Sequence, residues 1–450
     1  MLETKKLAEY VCDTKYEDLD EKTIDNAKMA VLDALGAGFA GSVENSAKAL
    51  KGVFLKHAPE GKSSLWDGSF AKTEYTAAAA INAANVHAQD FDDLHNASIV
   101  HPGAITIPAA MALGEEMGLS GKDVLLAIVL GYDVAARLGE AINPESYYFW
   151  HTTSVVGSFS SAAVAGKLMG LDPEPMQDAF GSAGTQSSGL WAFNASGANS
   201  KLLHVANAAV CGIRSAELAK AGFTGAKDII ENKKGFALAL NPNAHLEKIT
   251  EGLGSFFEIN GNSFKAYACC RHTHSAIYGI NQIKKKHAID PSKIKKIEDY
   301  TYRTAINTAD NAEPANPYAA KFSIQYCICA AILNDEITLK TFSEESLADP
   351  TIRALMEKTQ VIFSQEIEDR YLKDSNRWGH RLVITMEDGK IIEEYTDYPF
   401  GDFNNPFSWA DAKNKYMQLA RPVIGREKAE AIYQKVLKFE QIEDINKLLN

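Results

Sequence analysis

Three stretches of this sequence are crowded with alanine, glycine and serine, and they restrict the chain to folds in which helices lie very close together. These stretches run from Thr76 to Val86, from Ser158 to Lys167 and from Val205 to Leu218. Small side chains let the axes of neighbouring helices approach each other closely, as they do inside a bundle. The sequence therefore predicts a mostly α-helical fold with its core between tightly packed helices.

Local signals predict where several helices begin and end. Asp20 is a candidate N-cap ahead of apolar residues that recur at helical spacing up to Gly41, and Ser120 with Asp123 forms a capping box. Gly170 and Gly222 are candidate C-terminal stops, because glycine adopts the left-handed conformation that ends a helix.

The pattern changes after Gly261, where short strands and helices replace the uniform helical period. The segments 381–386 and 390–395 flank Asp388-Gly389, a strong signal for a β-hairpin. A helical pattern returns after Pro399. At 450 residues the chain exceeds the size at which a single core keeps growing. We therefore expect one all-helical domain built from both chain ends, residues 1–264 and 396–450, and a smaller inserted α+β domain, residues 265–395.

The charge of the chain limits its partners. Its formal net charge of -12, without a cluster of Lys and Arg, disfavours nucleic acid as a ligand. The first residues do not resemble a signal peptide, and the longest apolar runs fall far short of the ~20 residues that span a bilayer. We expect a cytoplasmic protein that is not bound to membranes. An anionic substrate would have to be attracted by local cations.

The densest chemical cluster is the run from Asp90 to His95, followed by His101-Pro102-Gly103. One interpretation is a metal site, but the spacing matches no standard zinc motif, and we expect no metal. Another is acid–base chemistry by imidazoles that a carboxylate orients. A third is purely structural, with Asp92 and Asp93 as helix caps.

Three further segments carry histidines or cations. They are the segment around His151, the segment from Lys201 to His204, and the segment from Lys265 to His274, which includes Arg271 and His272. Each of them alone is as readily explained by an interior histidine or a surface lysine. Together they supply what a polycarboxylate needs, namely positive charge and several groups that transfer protons.

These motifs resemble the MmgE/PrpD family along nearly the whole chain. The matching segments are Asp90 to His95 with His101-Pro102-Gly103, His151 with Thr153, Lys201 with His204, Cys269-Cys270-Arg271 with His274, Lys321-Phe322-Ser323, Asp349-Pro350 with Ile352 to Leu355, and Gly401 with Asn405-Pro406 and Trp409. The resemblance implies a homodimer whose subunits each have a helical domain and a smaller lid domain, with the pocket between the domains. Activities in the family include 2-methylcitrate dehydratase, cis-aconitate decarboxylase and iminodisuccinate epimerase, none of which implies an organic cofactor.

The resemblance also implies site residues. The family's catalytic positions correspond to Asp90, His101, His151, Lys201 and His274, and we expect His95, His204, Arg271 and His272 to bind substrate. Lys201 and Arg271 would hold carboxylates, the histidines would divide the acid and base roles, and Asp90 would orient one imidazole. Ala266, Ala268, Ala206, Asn207 and Phe400 depart from the common pattern, which leaves the substrate open.

We therefore expect a cofactor-free lyase that acts on a small di- or tricarboxylate at the carbon next to a carboxylate, with dehydration as the first choice and decarboxylation as the second. An alternative is an epimerase of a succinate-like acid. A second alternative is a non-catalytic relative that binds polycarboxylates.

Overall fold

The computed structural model describes residues 2–450, which form two compact units. The first unit contains the residues up to Phe264 together with Ser408–Asn450, and the second contains Lys265–Phe407. The second boundary therefore lies at residues 407 and 408, whereas the sequence pattern suggested 395 and 396. The fold is mostly α-helical, as predicted. Among the described residues, no helix combines the length and the apolar character needed to cross a membrane.

The first unit opens with twelve α-helices and two short β-ribbons. The helices are α1 Glu3–Asp13, α2 Glu21–Gly41, α3 Asn45–Phe54, α4 Tyr75–His87, α5 Gly103–Met117, α6 Gly121–Ile142, α7 Thr152–Leu168, α8 Pro173–Gly184, α9 Phe193–Ser196, α10 Ser200–Lys220, α11 Phe236–Leu240 and α12 Glu247–Thr250. The ribbons pair β1 Ser63–Ser64 with β2 Lys72–Thr73, and β3 Leu94–His95 with β4 Asn262–Ser263.

The second unit is built on a four-stranded sheet with helices around it. Its elements are α13 His274–Lys286, β5 Ile294–Thr301, α14 Arg303–Ala309, α15 Pro317–Ala320, α16 Ile324–Leu333, α17 Glu344–Leu347, α18 Pro350–Met356, β6 Thr359–Phe363, α19 Gln365–Lys373, β7 His380–Met386 and β8 Ile391–Thr396. The strand order is β6-β5-β7-β8, in which only the β5–β6 pair is parallel. Gly389 has φ +87° in the turn between β7 and β8, which confirms the predicted hairpin.

The chain then returns to the first unit with α20 Trp409–Ile424 and α21 Arg426–Val436, and α20 packs on α2. The core of this unit lies around α7, which contacts α5, α6, α8 and α10. The small residues of α7 and α10 allow this packing. At Gly212 of α10, for example, an added Cβ would lie 1.8 Å from Ser161 Oγ of α7. The close approach predicted from the small-residue stretches is thus a real feature of the core.

The predicted helix ends are also confirmed. The side chain of Asp20 accepts a hydrogen bond from Thr23 N, and Ser120 and Asp123 form the capping box ahead of α6. Gly170 and Gly222, which follow α7 and α10, have φ of +68° and +89°.

Candidate active site

The candidate site is in the first unit, where a loop joins the end of α4 to the start of α5. This loop carries the run of acidic and histidine residues, and nearly all of its side chains are buried. Asp90 and Ile99 have φ of +55° and +52°, a left-handed conformation that is unfavourable for residues other than glycine. Strained backbone of this kind persists only where surrounding contacts impose it, and it is concentrated at functional sites.

Asp93 is one of the residues that hold the loop in place. Its Oδ1 accepts from Gly103 N (3.0 Å), and its Oδ2 accepts from the Tyr132 hydroxyl (2.5 Å) and from Asn262 Nδ2 (2.8 Å). Position 103 requires glycine, because a Cβ there would lie 2.6 Å from Asp93 Oδ1. Burial and the charge of Asp33 raise the pKa of Asp93 to about 7. This carboxyl group anchors the α4–α5 loop to the start of α5 and to Tyr132 of α6.

Asp92 lies between two imidazoles and determines where their protons are. Its Oδ2 is 2.7 Å from His87 Nδ1 and 3.4 Å from His101 Nδ1, and His101 Nδ1 is also 2.8 Å from the carbonyl oxygen of Asp93. Because these oxygens only accept hydrogen bonds, Nδ1 carries the hydrogen in both rings. In the neutral rings, the nitrogen with the lone pair is therefore Nε2. His87 Nε2 is buried without a hydrogen-bond partner among the described residues.

Four imidazoles follow one another from His101 through His87 and His151 to His204, and we call this set the histidine row. Ring centroids of successive members are 5.0, 5.4 and 5.5 Å apart. His87 and His151 stack with an angle of 22° between their planes. The Nδ1 atoms of His151 and His204 are 3.3 Å apart. The loop before α5 is thereby connected to the start of α7 and to the first turns of α10.

The buried environment keeps much of the row uncharged at neutral pH. Burial lowers the pKa of His87 to about 4, although Asp92 opposes the shift. Burial and nearby positive charges hold the pKa of His151 well below its ordinary value, and burial with the charge of Lys201 lowers the pKa of His204. Burial alone would raise the pKa of Asp92, but His87 and His101 keep it well below its usual range. At pH 7 His87, His151 and His204 are therefore neutral imidazoles, and the carboxylate of Asp92 is ionised.

Lys201 supplies the site with a positive charge. Its Nζ is 2.6 Å from Asp90 Oδ1, and both side chains are buried. Lys201 is in the first turn of α10, His151 is the N-cap residue of α7, and His101 comes two residues before α5. Three long helices thus begin among these residues, and helix N-termini favour anions through their unpaired N–H groups and their dipoles. The arrangement suits a negatively charged ligand that exchanges protons.

His95, which was expected to bind substrate, has different neighbours from the histidine row. Its Nδ1 contacts Ser98 Oγ at 2.9 Å, and its Nε2 is 3.6 Å from Glu258 Oε2. The cause is the pairing of β3 with β4, which sets His95 opposite Asn262.

The second unit holds the three other predicted site residues. Arg271 NH2 donates to Asp402 at 2.7 Å, and Arg271 NH1 is 3.4 Å from His274 Nδ1. His272 is stacked on Trp378, with ring centroids 4.2 Å apart, and its Nδ1 is 2.5 Å from the Tyr302 hydroxyl. The structure thus brings Arg271 and His274 together, while His272 is part of an aromatic cluster.

Two domain models of one protein family match this chain. The MmgE/PrpD N-terminal domain matches residues 5–248, and the MmgE/PrpD C-terminal domain matches residues 267–441. The chain belongs to the MmgE/PrpD family. The resemblance drawn from the sequence motifs is thereby confirmed.

Individual relatives differ in how much of the chain they match. The cis-aconitate decarboxylases of Aspergillus terreus and Mus musculus are each 27% identical to it over 99% of this chain, covering 95% and 92% of their own lengths. The mitochondrial 2-methylcitrate dehydratase of Yarrowia lipolytica is 28% identical over 24% of this chain and 21% of its own length.

His87 was not among the residues predicted from the sequence, although its Nε2 is buried and has no hydrogen-bond partner in the described part of the chain. It is the last residue of α4, three positions before Asp90. A histidine at the end of an alanine-rich helix, directly ahead of the acidic run, was the available signal. The role of orienting an imidazole was predicted for Asp90, whereas it is the carboxylate of Asp92 that contacts two imidazoles and Asp90 that contacts Lys201.

Two groups of side chains in the described part of the chain could hold a metal ion. They are His87 with Asp92 and His101, and His95 with Glu140 and Glu258, each with donor atoms within 4.8 Å of one another. A metal that used Nδ1 of His101 would have to displace the hydrogen bond to Asp93. In the second group, Arg137 lies 3.2 Å from Glu258 and would repel a cation. The absence of a bound metal stays a prediction.

Proposed function

We propose that this chain is a lyase that acts on a small tricarboxylate by acid–base chemistry at a carbon next to a carboxylate. The observation that carries the proposal is the position of Lys201 and three helix N-termini beside the histidine row. Positive charge and N–H groups bind carboxylates, while neutral imidazoles accept or deliver protons near pH 7. No single one of these groups would support such chemistry alone.

Each group has a proposed task. Lys201 and the helix N-termini hold substrate carboxylates and stabilise the negative charge that develops during the reaction. His101 Nε2 and His151 transfer protons, and Asp92 positions His87 and His101 through their Nδ1 hydrogens. Asp90 positions Lys201. The roles of Arg271 and His274 stay predictions from the sequence.

We place decarboxylation of cis-aconitate ahead of dehydration as the reaction to test first. The support is the extent of the likeness, since the relatives named cis-aconitate decarboxylase match 99% of the chain. Dehydration of 2-methylcitrate is the second candidate, because the relative of that name matches only 24%. The epimerase and the non-catalytic carboxylate binder remain predictions from the sequence, as do the homodimer, the cytoplasmic location and the lack of a cofactor.

Incubation of the purified protein in D₂O with cis-aconitate, and separately with 2-methylcitrate, tests the proposal. NMR should show that cis-aconitate loses one carboxylate as CO₂ and gains one deuterium on carbon. Formation of an alkene from 2-methylcitrate would favour dehydration instead. Exchange with inversion in a succinate-like acid, without loss of CO₂ or water, would identify an epimerase and overturn the lyase proposal.

A binding measurement separates a weak enzyme from a carboxylate-binding protein. A ligand at 100 times its Kd stabilises the native state by roughly 2.7 kcal/mol, which raises the unfolding temperature. Stabilisation by cis-aconitate without turnover would favour the non-catalytic alternative. If neither acid stabilised the protein or reacted, the proposed substrate class would be wrong.

A further inference from the structure

A polar cavity lies beside His204, at the end of the histidine row. It has a volume of about 290 Å³, and its lining includes Ser154, Ser158, Gln186, Ser187, Ser188 and His204. Among the described residues, its lining contains no lysine, arginine, aspartate or glutamate. A carboxylate would find no charged partner there, whereas hydroxyl and amide groups are suitable partners for ordered water. The cavity is therefore better suited to water than to the proposed substrate.

His204 borders this cavity and also contacts a buried member of the row. Its Nδ1 is 3.3 Å from Nδ1 of His151, which is 2% exposed. Burial lowers the pKa of both imidazoles, which favours their neutral forms. In a hydrogen bond between two neutral rings, one Nδ1 carries the hydrogen and the other has the lone pair. Such a contact can pass a proton from ring to ring.

The chain segment around Gly189 holds the two rings in this position. His151 N donates to the carbonyl oxygen of Gly189 at 2.9 Å, and Ser154 Oγ donates to the carbonyl oxygen of Ser188 at 2.6 Å. Gly189 has φ +134°, and an added Cβ would lie 2.8 Å from Ser154 Oγ and 3.3 Å from His204 Nδ1. Any larger side chain at position 189 would therefore press on His204.

Decarboxylation requires a supply of protons. When the bond between a carboxylate and its carbon breaks, CO₂ leaves, the electron pair stays on the carbon skeleton, and one proton must be added to it. Each turnover thus consumes one proton that has to come from solvent. Members of the row such as His87 and His151 are 1% and 2% exposed, so direct contact with bulk water is small.

We propose that His204 and His151 form a proton relay between the water of this cavity and the reacting carbon, an inference that rests on the proposed lyase function. A hydronium ion or buffer acid in the cavity protonates His204 Nε2. His204 Nδ1 then passes its hydrogen to His151 Nδ1, and His151 gives its Nε2 hydrogen to the carbon that has lost CO₂. The substrate trianion and one proton become a dianion and CO₂. The original tautomers return when the product leaves and water exchanges protons with both rings.

His204 acts through His151 in this scheme, so it is a positioning and relay residue rather than a catalytic one. The prediction from the sequence was instead that His204 binds substrate. The two roles differ in kinetics. Loss of a relay lowers kcat, whereas loss of a substrate contact raises KM.

The test compares His204→Gln and His204→Ala with the wild type, using cis-aconitate as substrate. Glutamine keeps hydrogen-bonding capacity but does not shuttle protons. We expect kcat to fall by roughly 10-fold or more and the solvent isotope effect to increase, with KM changed less than about two-fold. Added imidazole should restore kcat of His204→Ala in a saturable way, because the enlarged cavity can admit it. His57→Gln, the same change at an exposed histidine, should match the wild type.

Several outcomes would overturn the relay. They are an increase of KM at constant kcat, an unchanged kcat, or no rescue by imidazole. If the wild-type protein does not turn over cis-aconitate, the proposed function is wrong. The contact between His151 and His204 can still be tested without substrate. In protein labelled with ¹⁵N-histidine, NMR should show opposite tautomers for His151 and His204, and His204→Gln should change the signal of His151. Identical tautomers in the two rings would exclude a shared proton.

Discussion

Lys201 Nζ and Asp90 Oδ1 are 2.6 Å apart, and their side chains are only 3% and 2% exposed. In the proposed mechanism this buried ion pair affects both activity and stability. Removing one partner leaves the other charge buried, which typically costs about 3–5 kcal/mol, whereas replacing both can be nearly neutral. Lys201 is thus buried, and it is not an ordinary lysine on the protein surface.

Lys201→Met should therefore lower both stability and activity. The methionine keeps most of the apolar stem but leaves Asp90 without this ammonium group. We expect kcat/KM to fall by about 10²-fold or more, on the order of 3 kcal/mol of transition-state stabilisation. Denaturant unfolding and steady-state kinetics measure the two effects separately.

The double variant Asp90→Asn with Lys201→Met is the matched control for this prediction. Without either charge, the unfolding free energy should return towards that of the wild type while activity stays low. Recovery of both would show that the pair serves only the fold.

His101→Asn is expected to separate the structural role of Nδ1 in His101 from the proposed catalytic role of Nε2. The asparagine amide can replace the Nδ1 donor to the Asp93 carbonyl oxygen, which His101 contacts at 2.8 Å. It provides no base at the position of Nε2, so kcat should fall by roughly 10²–10⁴-fold. Thermal unfolding should stay near that of the wild type. Normal turnover would remove His101 from the proton-transfer mechanism, and His57→Asn on the surface controls for the substitution itself.

The parts of this fold that were predictable from sequence depend on residues close together in the chain. The cap at Asp20, the capping box at Ser120 and the Asp388-Gly389 hairpin each involve neighbours within a few positions. Their energetics are local, so the surrounding fold does not alter them. Small-residue packing was also predictable, because it follows from helical spacing.

The residues of the candidate site could be proposed from the sequence, but their pairings could not. Asp90 and Lys201 are 111 positions apart, and the partner of His95, Glu258, is brought near by the pairing of β3 with β4. Nothing local in the sequence indicates such contacts. The stacking of His272 on Trp378 likewise depends on the tertiary fold.

Removal of metal ions should leave turnover intact. A metal bound to His101 Nδ1 would have to break the hydrogen bond that fixes this ring, and the proposed chemistry needs only protons and positive charge. The check is activity after exhaustive chelation and gel filtration. Loss of activity that a single divalent ion restores would require a Lewis-acid mechanism at His87, Asp92 and His101.

Glu258 should make the protein less stable as pH rises. Its carboxylate lies 3.2 Å from Arg137 and 3.6 Å from His95, yet burial raises its pKa to about 7. The unfolded chain has an ordinary glutamate pKa of about 4.3, so between these two values the folded state holds a proton that the unfolded state has lost. The stability contributed by Glu258 is complete below the lower value and is lost as pH rises to about 7.

Glu258→Gln removes this titration. Comparing the variant with the wild type therefore separates the contribution of Glu258 to stability from those of other titrating groups. The low pKa of His87, about 4, acts in the opposite direction, because a neutral buried histidine favours folding as pH rises towards 6.5. The difference between variant and wild type cancels that contribution. Between pH 5 and pH 8 the unfolding free energy of Glu258→Gln should increase relative to the wild type by about 2–3 kcal/mol. Denaturant unfolding at both pH values measures it, and the exposed substitution Glu60→Gln should follow the wild type. Parallel curves for Glu258→Gln and wild type would mean that Glu258 is ionised throughout this range, with Arg137 and His95 compensating for its burial.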